Sequence, residues 1–438
     1  MDENLTARFV VPVVMENVFA VFINMAISGV ISSISASALA AISMANSIMS
    51  VVSALFSMVT TGSSVLIARQ VGAGEYEDAA ESIEQSTLMS LVTTITIMVL
   101  SILLATPLLR LLMPTAEAVL FGEAVRYFRM VMISLPLLIL HGVFSGACRG
   151  LGNSRVPLLT TVMMSLSQLF FSWLCVSVIR LNEIGAGIAI IICRLVGVVI
   201  LLIPLMKDRS RVVLRVRNMF LPKMAVCRRI LRIGLPMTVE SLFVQFGYML
   251  AGSMAIALGT FASAVNSIVN TVYGFAGVTQ GIFSTVSMSS TGHLLGRKDY
   301  KGVKTAGYLL FVIGVLISGF MALIGLVFGE WICGFYTSDS ATLDACMKIM
   351  WVIIPLNIVA NAVNTVIPQL KAGGDSTFVM FLSLLAVWGI RLPLTWLLCF
   401  RLDMGVLGLF LGNTISLAVR TALALVRFAG TKWMYRRV

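Results

Sequence analysis

Residues 12–25 read PVVMENVFAVFINM, and 224 positions later residues 236–249 read PMTVESLFVQFGYM. Pro12 is answered by Pro236, Glu16 by Glu240, Phe19 by Phe243, Phe22 by Phe246 and Met25 by Met249. The register runs on without a gap through Asn46 and Asn270, Gly72 and Gly296, and Tyr76 and Tyr300. Each copy keeps a carboxylate inside an apolar run. A duplicated apolar chain with acids inside its spans is a common plan for membrane transporters.

The surrounding composition fits that plan. Of 438 residues, 59% are apolar and 11% charged, and the mean hydropathy is +1.00. A water-soluble fold would leave too much of this apolar surface exposed. Runs of about 20 apolar residues, enough to cross a bilayer as helix, predict twelve spans. The first half carries them at 7–30, 38–67, 83–106, 124–148, 157–180 and 184–206. The second half carries them at 232–256, 262–290, 304–328, 343–367, 377–400 and 404–428. Open sheet does not survive in lipid, and the short alternating segments of a barrel are missing, so the expected class is all-α integral membrane.

Charge predicts the orientation. With the N-terminus inside, most of the 31 Lys and Arg fall on inner links and tails, whereas the outer links hold Arg110, Arg180 and Arg401. Both termini are therefore expected in the cytoplasm. Residues 207–232 alone carry nine basic residues, among them Arg209, Arg211, Arg215, Arg217, Arg228 and Arg229. We read this stretch as a basic link touching anionic headgroups rather than a nucleic-acid patch. The expected organisation is an N-terminal six-helix lobe at 1–206, a cytoplasmic linker at 207–231 and a C-terminal six-helix lobe at 232–438. Met1–Arg8 lacks the order of a cleaved signal, so helix one is expected to stay.

Enzyme chemistry finds little support. No Gly-x-x-x-x-Gly-Lys-Ser/Thr loop occurs, and two histidines cannot supply a credible serine–histidine–acid set. The seven cysteines show no metal or redox spacing and read as small core residues, although Cys333 and Cys346 flank an outer link and could pair. We expect no cofactor, with energy drawn from a proton or sodium gradient, and no enzyme activity.

Six spans per half is an even number, so the copies enter from the same side and form parallel repeats. A cavity between such bundles predicts polar residues on matching faces. Helix one offers Asn17, Asn24 and Ser28, and its second copy Ser241, Gln245, Tyr248 and Gly252. Helix two carries Asn46 in a stripe of serines, and helix eight carries Asn270 among Ser267, Thr271 and small residues; such stripes serve either close packing or lining. Asn357, Asn361 and Asn364 in helix ten, at i, i+4 and i+7, are too polar to face lipid and predict cavity lining.

Buried charges supply the remaining candidates. Glu16 and Glu240 stand well inside their spans, where an unpaired charge costs several kcal/mol. Each could trade a proton, or at Glu240 a sodium ion, against a cationic substrate. The alternative is structural, because Arg194 and Arg391 also look embedded and two acids could neutralise two bases. Arg391 is further read as lining, or as capping a kink at Pro393. His141, on one face with Ser134 and Ser145, is either a proton relay or a packing residue.

The chain resembles the multidrug and toxic compound extrusion (MATE) transporters, within the multidrug/oligosaccharidyl-lipid/polysaccharide exporter superfamily. The resemblance is carried by twelve spans in two lobes, by QVGAGEYEDAAE (70–81) and GHLLGRKDYKGV (292–303), by CRGLGNSRVP (148–157) answered by LKAGGDSTFV (370–379), and by RLP at 391–393. It implies a bacterial inner (plasma) membrane antiporter, here expected as a monomer, exporting cationic or amphipathic compounds in exchange for protons or sodium. Many members carry an acid near the outer end of helix one, followed by an Ala-Leu-Ala-Ala run. Here ALAA stands at 38–41, but the aligned acid position is Ile27. The context of Glu16 resembles some members from Gram-positive bacteria, and Glu240 lies in the helix that carries an acid in sodium-coupled members. A lipid-linked saccharide flippase is the rival reading, and it calls for several basic residues inside the spans.

Overall fold

The computed structural model describes residues 36–112, 118–206, 221–334, 339–361 and 363–435. Among them every regular element is helical. In chain order they are α1 (Ala36–Ala73), α2 (Tyr76–Leu103), α3 (Ala105–Leu112), α4 (Ala118–Ile133), α5 (Leu135–Gly150), α6 (Arg155–Ser172), α7 (Asn182–Met206), α8 (Met224–Ala257) and α9 (Thr260–Gly296). There follow α10 (Tyr300–Val327), α11 (Gly329–Gly334), α12 (Ser340–Asn361), α13 (Val363–Ala372), α14 (Ser376–Leu384), α15 (Leu392–Trp396) and α16 (Gly405–Ala429). The second to twelfth expected spans each fall on helix, and the first, 7–30, lies outside the described residues. Nine stretches among the described residues are long and apolar enough to cross a membrane. Exposed Val92, Leu103, Leu316, Phe320 and Leu323 on α2 and α10 make sense as surface in contact with lipid.

The chain divides into two compact units between Leu235 and Pro236, within α8. In the N-terminal unit, α1 packs on α2, α4 and α5, and α6 on α7. Close approach of α1 and α5 follows from Gly142, Gly146 and Gly150, spaced four apart. A Cβ on Gly142 would come 2.9 Å from Thr60 Cγ2, and one on Gly150 would come 2.8 Å from Ile67 Cγ2. Lipid offers no hydrophobic drive between helices, so such small-residue seams supply the van der Waals contact instead. Phe128, Met132 and Leu135 centre one apolar cluster of this unit, Ile67, Ile83 and Leu201 another.

The duplication is visible atom by atom. After α1, Glu75 N donates to Gln70 O (2.9 Å) and Gly74 N to Val71 O (3.1 Å). After α9, Asp299 N donates to Leu294 O (3.0 Å) and Lys298 N to Leu295 O (3.0 Å), every partner displaced by 224. The turn needs a positive φ, which Gly74 supplies at +83° and Lys298 adopts at +58°. A second pair of turns repeats at a displacement of 222: Asn153 N to Cys148 O, and Asp375 N to Leu370 O. Gly152 (φ +85°) and Gly374 (φ +81°) carry these. The C-terminal unit also repeats the pairings, with α9 packed on α10 and α13 as α1 is on α2 and α5.

Residues 221–231 were expected to be linker, yet α8 already begins at Met224, and Gln85 of α2 grips the segment before it. Its Nε2 donates to Leu221 O (2.8 Å), its Oε1 accepts from Lys223 N (2.9 Å), and Lys223 Nζ pairs with Glu81 (2.7 Å). Gln85 is buried, so Gln85→Leu should strand two backbone groups at about 1–3 kcal/mol. We expect trypsin to cut the basic 207–223 stretch of that variant faster than in the parent protein; equal cleavage rates would show that the grip is idle.

Candidate functional site

In the C-terminal unit α8 lies along α14, and the helical repeat brings Glu240, Phe243 and Gly247 onto the face that meets it. Glu240 is buried at 4% exposure. Its Oε1 accepts from Arg420 Nη2 of α16 (2.7 Å) and from Ser383 Oγ of α14 (3.0 Å), and its Oε2 pairs with Lys371 Nζ of α13. Arg420 Nη2 also donates to Ser383 Oγ (2.8 Å). Four helices thus converge on one carboxylate. Both cations are largely buried too, their side chains 17% and 15% exposed for Lys371 and Arg420.

Further along the same seam the chemistry changes. Gly247 leaves room for Val387, Trp388 Nε1 donates to Phe243 O (3.1 Å), and the Phe243 and Trp388 rings meet edge to face at 6.3 Å. The Arg391 guanidinium lies 4.1 Å from the centre of the Tyr248 ring. Eight residues separate Ser383 from Arg391, roughly 12 Å of helix. The chain here is not α-helical throughout: Leu385–Arg391 and Leu397–Arg401 form π-helical turns on either side of α15. Ser416 Oγ of α16 donates to Ala386 O (2.5 Å) within the first of them.

The sequence candidates are distributed as follows. Glu16, Asn17 and Asn24 lie outside the described residues. Asn46 belongs to α1, and Asn357 and Asn361 to α12, which ends at Asn361, so the expected stripe through Asn364 is shared between two helices. Gln245 is exposed on α8, and Asn364 half-buried on α13. Asn270 is exposed and donates to Asn266 O and Oδ1, both at 2.9 Å. His141 stands on α5 with Nε2 buried and without a hydrogen bond. Arg194 donates to the Ser134 hydroxyl.

Two readings need correction. Glu240 is neutralised by Lys371 and Arg420, not by Arg194 or Arg391. Its oxygens therefore face an ammonium, a guanidinium and a hydroxyl. Cys333 and Cys346 meet as thiols and not as a disulfide: all seven cysteines are free and buried, the two share a hydrogen bond, and Cys333 Sγ lies 3.8 Å from Met350 Sδ. Sequence reading missed Lys371 and Arg420 because Lys371 sits in a Gly-rich turn motif, and Arg420 lies near the end of a span. Arg420, eight residues inside the expected 404–428 run, was the available signal.

An all-helical, internally duplicated, multi-pass bundle with a charged cluster among its helices is the architecture of a membrane transporter. The chain belongs to the MatE family, whose model matches twice, over residues 12–174 and 236–397, the two copies of the repeat. It is similar to "Probable multidrug resistance protein NorM" of Thermotoga maritima, at 23% identity over 98% of this chain and 93% of that protein. It is also similar to "Multidrug resistance protein NorM" of Vibrio vulnificus, at 21% identity over 85% and 82%. Solved structures share the fold. One is a MATE in the bent conformation (18% identity, 98% and 94% covered, TM-score 0.89). Another is an outward-facing multidrug resistance MATE family transporter of the MOP superfamily (19%, 99% and 96%, 0.89).

Proposed function

We propose that this protein is a secondary antiporter of a bacterial plasma membrane, exporting organic cations or amphipathic compounds in exchange for protons or sodium by alternating access. Both termini are cytoplasmic in this reading, and one chain is the working unit. The observation that carries it is the Glu240 cluster: a carboxylate holding two cations where four helices meet, inside a duplicated membrane bundle. Such a cluster is strong while its pairs are intact and costly when one is broken, so exchanging its partners is a physical means of biasing one helix arrangement against another. A coupling cation acts here by competing with Lys371 or Arg420 for the carboxylate. The multidrug resistance proteins among its relatives support the substrate class.

In proteoliposomes a cationic dye is expected to accumulate against an imposed proton or sodium gradient. Swapping one gradient for the other identifies the coupling ion. Absence of movement under either gradient, with protein shown to be folded, would remove the antiporter reading.

A further inference from the structure

The second copy of the repeat is one residue longer than the first over one stretch, and the excess falls where Arg391 enters the bundle. At the start Gly152 and Gly374 are 222 apart, whereas at the finish Ile179 N donates to Leu174 O and Leu181 N to Cys175 O, answered by Leu402 N to Leu397 O and Met404 N to Leu398 O, every partner displaced by 223. Both ends of the stretch are equivalent in the two units, a glycine turn at the start and a π turn, Trp173–Val178 or Leu397–Arg401, at the finish. Between them the first copy is uninterrupted α-helix as far as Ser172, whereas the second passes through the π turn Leu385–Arg391. A π turn takes up extra residues by closing i to i+5, and such turns concentrate at functional sites. The corresponding first-copy positions, Gln168 or Leu169 depending on where the excess is placed, carry no charge.

Arg391 is 6% exposed, and its Nε is buried without a hydrogen bond. Among the described residues no carboxylate pairs with it. Glu240 is already shared by Lys371 and Arg420, so among the described residues three cations of this seam stand against one acid. A membrane-embedded arginine without a counter-ion is costly and is a functional candidate by default. Tyr248 lies against the guanidinium and also hydrogen-bonds it, while the buried Nε has no partner and belongs to the N–H edge that grips carboxylate or phosphate. Beside it Trp388 and Tyr248 are 38% and 53% exposed, giving an apolar body a surface on which to lie.

We propose that Arg391, flanked by Tyr248 and Trp388, is a recognition site for the anionic group, a carboxylate or phosphate, of an amphipathic ligand. This rests on the transporter reading and narrows it: the ligand of this site carries negative charge. The test is equilibrium binding of 11-(dansylamino)undecanoate to the full chain in phosphatidylcholine nanodiscs, beside its methyl ester and a trimethylammonium counterpart. The carboxylate should bind about tenfold more tightly than either, in line with a charge-assisted bidentate contact. Arg391→Gln should abolish the difference and Arg391→Lys should keep most of it.

Adding phosphatidylglycerol distinguishes the sources of the anion. Competition identifies a lipid headgroup and unchanged binding a free amphiphile, and each supports an anion site. Equal binding of carboxylate and ester, or an Arg391→Gln variant that binds the carboxylate as the parent does, would overturn the proposal. Should Arg391→Gln fail to fold, the comparison of carboxylate with ester on the parent protein decides. No gradient is imposed, so this result stands or falls separately from gradient-driven dye transport.

Discussion

Glu240→Gln is expected to destabilise the C-terminal unit by about 3–5 kcal/mol, the cost of leaving buried charges without their partner, and to abolish gradient-driven transport. The substitution keeps the shape of the side chain and removes only the charge, leaving Lys371 and Arg420 facing each other with no acid between them. The size of the effect comes from burial. Arg126 and Glu183 in the N-terminal unit are also 2.7 Å apart, with the glutamate side chain 6% and the arginine 54% exposed, so removing the carboxylate leaves behind a cation that water still reaches. Glu183→Gln is therefore the internal control. Adding Lys371→Met to Glu240→Gln should recover part of the lost thermal stability, because it removes one stranded ammonium. A melting temperature for Glu240→Gln that matches Glu183→Gln would mean that the cluster does not hold the four helices together.

The second large effect should come from one methyl group. Gly234 of α8 crosses α1 so closely that a Cβ there would sit 2.7 Å from the Met58 carbonyl carbon and closer still to its oxygen. On the other side of the crossing, a Cβ on Gly62 would lie 2.8 Å from Ile230 O and 3.2 Å from Gly234 Cα. These neighbours are backbone and cannot swing aside. Alanine ordinarily favours a helix over glycine by about 1 kcal/mol, yet here the helices would have to separate. We expect Gly234→Ala to cost about 3 kcal/mol or more, the upper part of the overpacking range, seen as loss of monodisperse protein after extraction. Gly252, on the same helix with nothing within 4 Å of its Cβ position, should accept alanine without loss. If both variants purify and melt alike, the crossing is looser than these distances require.

How much of this could be read beforehand differs from level to level. Hydropathy runs and the 224-residue register are local or self-referential properties, so the spans, the duplication and the transporter class were legible from the chain alone. The turns that repeat at Gln70–Glu75 and Leu294–Asp299 were legible as motifs because their backbone conformation is imposed by a few neighbouring residues. The π turn at Leu385–Arg391 was not, since hydropathy does not distinguish it from an α turn. Only an aligned comparison of Gly152–Leu174 with Gly374–Leu397 betrays its one extra residue.

The partner of Glu240 lay beyond reach for a different reason. An embedded acid announces that it needs a cation, but Lys371 and Arg420 lie 131 and 180 positions away, on helices whose rotation and depth are set by packing. Residue pattern determined that this chain is a duplicated helical membrane protein with charges inside it. Tertiary structure alone decided which charges meet, because a periodic pattern specifies one face of one helix, whereas an ion pair depends on the register of two.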